Sequence, residues 1–149
     1  LGAAKVQAMT ISREPRRRQR PGEHAPVRRA PTFLRSLGFA LAGIGYLFRT
    51  QRNAQIHAAA AALVVLAAWL LGVSALEWLA LLAAITIVIV AEGLNTAVEA
   101  VVDLVSPDYH QRARHAKDVA AGAVLLAAVG AAGIGMLVFV PRVWQLVLR

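Results

Sequence analysis

Cysteine is absent from this 149-residue chain. No disulfide framework, Cys-ligated zinc site, thiol nucleophile or cysteine-linked lipid anchor can exist in it, and the redox compartment leaves no trace. Charge is also scarce: 16% of residues carry it, against 58% hydrophobic residues and a mean hydropathy of +0.59. Such a composition is too apolar for an ordinary soluble domain and points to a bilayer. Acidic residues are scarcest, eight against sixteen Lys and Arg, for a formal net charge of +8. A Walker phosphate loop is missing too, because Gly38 to Gly45 lacks the Gly-Lys-Ser/Thr ending. Any nucleotide site is therefore built another way.

The charges present are unevenly placed. Eight of the basic residues precede Thr32, with only Glu14 and Glu23 against them, among Pro15, Pro21, Pro26 and Pro31. That composition predicts a disordered basic tail over residues 1–31, drawn to anionic headgroups by roughly 1 kcal/mol per residue rather than serving as a nucleic-acid arm. No short apolar core with a small-residue cleavage site is present there, so no signal peptide is read, and Met9 is a candidate start.

From Thr32 onward the pattern is all-α: an N-terminal amphipathic surface helix and three transmembrane helices, forming one domain over 32–149. Thr32 is an expected N-cap for a helix through Phe33, Leu37, Leu41, Ile44 and Phe48, with Arg35 and Arg49 near its ends, suited to the membrane interface. The expected spans are 56–76, 75–105 and 119–140, the last stopped by Pro141, with a turn at Ser106 to His110. Eleven Lys and Arg precede the first span, and Arg112, Arg114 and Lys117 lie between the second and third. This bias predicts a cytoplasmic N-terminus and 106–118 loop and an outside C-terminus.

Chemistry concentrates in Ala91 to Asp103. At ~100° per residue, Glu92, Asn95, Glu99 and Asp103 fall within roughly an 80° arc of one helix. An unpaired carboxylate in the hydrocarbon costs at least ~2.5 kcal/mol, so the stripe calls for a cation. Lys117 is one candidate; a hard divalent ion with oxygen ligands, carried in with nucleotide phosphates, is another. Glu99 is the preferred ligand. Glu92, deeper in the apolar stretch, suits a group that takes up a proton as general base. The bland alternative is an inter-helix hydrogen-bond network that only pins the bundle, and His57, His110 and His115 taken singly are ordinary interface or loop histidines.

The run Glu92-Gly93-Leu94-Asn95-Thr96-Ala97-Val98-Glu99, with Asp103, Tyr109-His110 and Ala116-Lys117-Asp118, resembles the signature of the prokaryotic diacylglycerol kinase family, which includes the undecaprenol kinases. The resemblance covers about residues 32–140. It implies an ATP- and magnesium-dependent lipid kinase of the bacterial inner membrane, assembled as a homotrimer with active sites shared between subunits. It further implies Glu92 and Asn95 as catalytic and substrate-binding residues, and Glu99 and Gln51 as metal ligands. Lys117 is implied as the catalytic γ-phosphate contact, with Asp118, Asp103 and His110 completing the nucleotide-binding set. Gln51 stands where the best-known members carry an acidic ligand, and Ala54-Gln55 replaces an aromatic-basic pair. The acceptor is then diacylglycerol or undecaprenol. A small proton-coupled transporter and a non-catalytic scaffold are the rival readings.

Overall fold

The computed structural model describes Thr32–Leu148; the expected disordered tail lies outside the described residues. Four helices follow one another: α1 (Phe33–Thr50), α2 (Arg52–Leu70), α3 (Ala75–Val105) and α4 (Gln111–Val147). Helices α2, α3 and α4 are each long and apolar enough to cross a membrane. The expected all-α architecture, surface helix included, is the one observed.

Helix α1 owes its form to an apolar arc. Phe33, Leu34, Leu37, Leu41, Ile44, Leu47 and Phe48 project within about 140°, while Arg35, Arg49 and Thr50 occupy the opposite side together with Phe39 and Tyr46. Thr32 stands at its N-cap position but contributes no side-chain bond.

The α2–α3 turn is built by one glycine. Gly72, at φ 60°, lets its N–H donate to the Trp69 carbonyl and the Val73 N–H reach back to the Ala68 carbonyl, closing the end of α2. Ser74 then opens α3 with a reciprocal capping box to Glu77. The sequence places a short break at Gly72 to Ser74, and the left-handed glycine turns the chain there, so the helix of the first span ends at Leu70 and not at the expected Leu76.

Helix α4 departs from expectation at both ends. It begins at Gln111, capped by His110, whose Nδ1 accepts from the Arg112 N–H at 3.2 Å. The expected 106–118 loop shrinks to 106–110, because Gln111 to Asp118 are mostly good helix formers once a cap is in place. Nor does the helix stop at Pro141; it continues to Val147. A proline removes one ladder bond, a loss that packing against neighbouring helices can offset in membrane proteins. Here Arg142 supplies that packing. Its guanidinium pairs with Glu77 and donates to the Leu71 and Gly72 carbonyls at 3.2 Å each, so α4 is clamped to the α2–α3 turn just past the proline.

Beside that clamp lies the core: Ala68, Val73, Leu81 and Val138, with Val64, Trp78, Ile134 and Phe139 against them. Packing is closest between α3 and α4, and α2 lies against α3. Most other large apolar side chains face outward, Leu126 (76% exposed) and Leu137 (79%) among them. An outer surface of this kind is made for lipid or further protein. The opposite end of the bundle gathers the α1–α2 corner and the α3–α4 turn, and α3, about 46 Å long, projects there with its acids.

Replacing Arg142 by Met keeps the bulk and removes every bond of the clamp. We expect the thermal midpoint in detergent to fall by roughly 3–8 °C. An unchanged midpoint would show that α4 holds its place past Pro141 without the guanidinium.

Candidate active site

Two polar side chains are buried among the described residues, and both come from the stripe on α3. Glu92 is 2% exposed and Asn95 6%, and the Glu92 Oε2 and Asn95 Oδ1 atoms have no hydrogen-bond donor. Buried oxygens without partners are rare in folded proteins and costly to keep. One turn onward the Asn95 Nδ2 donates to Glu99 Oε1 at 3.2 Å, leaving its own carbonyl oxygen open. Glu99 is half-buried.

A second pairing lies further along the same face. Lys117, from α4, donates to Asp103 Oδ1 at 2.5 Å. The pair crosses between helices and lines a pocket of about 290 Å³ formed by the last turn of α3, the 106–110 turn and the first turns of α4. His110, Tyr109, Arg114 and Asp118 line it as well. Arg114 and Asp118 form an exposed ion pair at 3.6 Å, a geometry that contributes little to stability and leaves both groups available to a ligand.

The expected residues therefore form a track rather than a single cluster. Asn95 meets Glu99, Asp103 meets Lys117, and Glu92 lies about 16 Å along the helix axis from Asp103. Gln51 stands apart from these pairs as the one residue between α1 and α2, where its amide Nε2 approaches the Thr50 hydroxyl at 3.4 Å. His57 lines an apolar pocket between α2, α3 and α4, while His115 borders a groove between α3 and α4 that reaches Asn95.

The donor set suits a hard divalent ion. Asn95 Oδ1 lacks a donor and the Glu99 carboxylate is its neighbour, both of them oxygen ligands of the type magnesium takes. Among the described residues no three His, Cys, Asp or Glu side chains gather into a metal cage. An ion held there would have to draw the rest of its shell from water or phosphate oxygens.

Sequence reasoning missed two contributions to this geometry. One is the Gln55 side chain, which reaches the end of α1. The other is the Glu77–Arg142 clamp, whose partners lie 65 residues apart and whose pairing no local pattern signals.

Known proteins bear directly on this arrangement. The family profile described as "Prokaryotic diacylglycerol kinase" matches residues 38–139. A diacylglycerol kinase of Synechocystis sp. is 43% identical over 133 residues, 85% of this chain and 76% of that protein. An undecaprenol kinase of Bacillus subtilis is 43% identical over 110 residues, 74% of this chain and 89% of that protein. The diacylglycerol kinase of Escherichia coli K12 is 41% identical over 66 residues, 44% of this chain and 53% of that protein. The profile match takes in α2, all of α3 with its polar stripe, and α4 as far as Phe139, and on that ground the chain belongs to the prokaryotic diacylglycerol kinase family.

Proposed function

We propose that this protein transfers the γ-phosphoryl group of ATP to the hydroxyl of a membrane lipid alcohol, diacylglycerol or undecaprenol. The observation that carries the proposal is the pair of buried oxygens without donors, on Glu92 and Asn95, at the inner end of a polar track that finishes at Lys117. Buried oxygens left open in this way are free to meet a substrate hydroxyl or an ion.

Glu92, deepest in the bilayer, accepts the proton of the lipid hydroxyl as its oxygen forms the new bond to the γ-phosphorus. The bond from that phosphorus to the β-γ bridging oxygen breaks, and ADP leaves. Asn95 orients the hydroxyl beside Glu92. Glu99 would hold magnesium, with Gln51 as a neutral oxygen donor, and the ion when bound would supply charge neutralisation to the transferring group. Lys117, positioned by Asp103, contacts the γ-phosphate in a site shared with a neighbouring subunit, whose own Glu92 lies nearer than the one about 16 Å along the same helix, while Asp118 and His110 belong to the nucleotide pocket. The work is mostly positioning and charge neutralisation.

Assembly and orientation complete the proposal. The outward apolar surface suits a homotrimer in the bacterial inner membrane, with the N-terminus and the 106–110 turn cytoplasmic and the C-terminus outside. The Lys117 pocket then faces the compartment that contains ATP.

Radiolabelled ATP incubated with the purified protein and extracted membrane lipid should give labelled phospholipid. Proton-coupled flux in proteoliposomes without ATP consumption would instead support a transporter. Chelating magnesium should stop the transfer and restoring it should revive it; transfer that persists in excess chelator contradicts the metal role. Glu99→Gln should lower turnover by about 100-fold or more while the assembled protein keeps its elution volume and melting behaviour. Normal turnover in that variant removes Glu99 from the metal site.

A further inference from the structure

Helices α1 and α2 meet without a loop. Gln51 alone separates them, in extended backbone at φ −99° and ψ 112°. One such residue lets α1 swing about two soft dihedrals unless something ties the helices together. The Gln51 N–H donates to the Leu47 carbonyl at 3.0 Å and the Gln55 N–H to the Gln51 carbonyl at 3.2 Å. Those bonds end one helix and begin the next. Thr50 turns its hydroxyl back to the Tyr46 carbonyl, within α1.

The cross-tie is the Gln55 side chain. Its Nε2 donates to the Phe48 carbonyl at 3.1 Å and lies 3.5 Å from the Arg49 carbonyl. Carbonyls among the last four of α1, which have no partner in their own helix, are thus served by a residue of α2.

What the corner controls is the seat of Leu47. Leu47 is the buried residue of α1, and its Cδ2 lies 3.7 Å from where a Cβ on Gly93 would be. Gly93 adjoins Glu92. Leu47 is four residues, ~6 Å, from the hinge, so a swing of about 20° moves it about 2 Å and opens that contact.

We infer that Gln55 is a positioning residue: by bonding the carbonyl end of α1 it holds Leu47 against α3 beside Glu92, and so sets the lipid side of the active site. The kinetic consequence rests on the lipid-kinase reading; the structural consequence does not.

The absence of native cysteine makes a clean reporter possible. In a Gly93→Cys background in detergent, reaction with a water-soluble maleimide should be about fivefold faster with Gln55→Leu than with Gln55. Gln55→Arg retains donors and suits a helix C-terminal end, so it should restore the slow rate. If Gln55→Leu fails to fold, Gln55→Glu, which keeps the length but loses the donor, takes its place. In the cysteine-free protein, Gln55→Leu should lower kcat/KM for the lipid alcohol about fivefold, with Gln55→Arg restoring it. Equal labelling rates in all variants, or an effect confined to the KM for ATP, overturns the inference. Expected labelling in a protein that transfers no phosphate to lipid would instead sink the kinase reading and leave Gln55 at the corner.

Discussion

A carboxyl oxygen that has left water without finding a donor raises the free energy of the fold that contains it, and the bundle has to be held together elsewhere to tolerate it. Glu92 imposes that condition on α3, and Asn95 adds to it. The structure answers by separating its two ends. Core packing, the glycine turn, the capping box and the Arg142 clamp all lie around the α2–α3 turn. The other end carries the polar track, the Lys117 pocket and a one-residue corner. Sites that bind and react are commonly drawn from the less stable part of a protein, and the polar track here lies away from the packed core.

How α3 is built explains how one helix serves both ends. Its early turns give Leu81, Ala84 and Val88 to the interior, and the same side one and two turns later gives Glu92 and Asn95. Continuity of the rod fixes the spacing of the acids relative to the core without help from a loop. Asp103 and Lys117 then tie the projecting ends of α3 and α4, so the outermost part of the track is also set by paired helices.

The sequence makes α3 legible in full, from the run of Leu, Val and Ile between Ser74 and Pro107, and the 3.6-residue period places Glu92, Asn95, Glu99 and Asp103 on one face. It is less informative where distant residues intervene. Pro141 is a sound local stop signal that Arg142 overrides through Glu77, and Gln111 to Asp118 read as loop because their charges mask good helix propensity. Position in the apolar run already sets Glu92 deepest, and burial adds Asn95 to it and separates both from the exposed Asp103. The cap by Gln55 depends on the chain turning at Gln51, which no pattern of residue types specifies.

If the polar track exists for chemistry and not for cohesion, its deepest carboxylate is a burden on the fold, and replacing it with an apolar side chain of similar size should relieve that burden. The direct measurement is Glu92→Met, followed by thermal denaturation in detergent and by phosphate transfer from ATP to lipid. The account predicts a variant at least as stable as the parent with turnover reduced by about 100-fold or more. A variant that melts earlier and still transfers phosphate at the parental rate would contradict it and make Glu92 a structural pin.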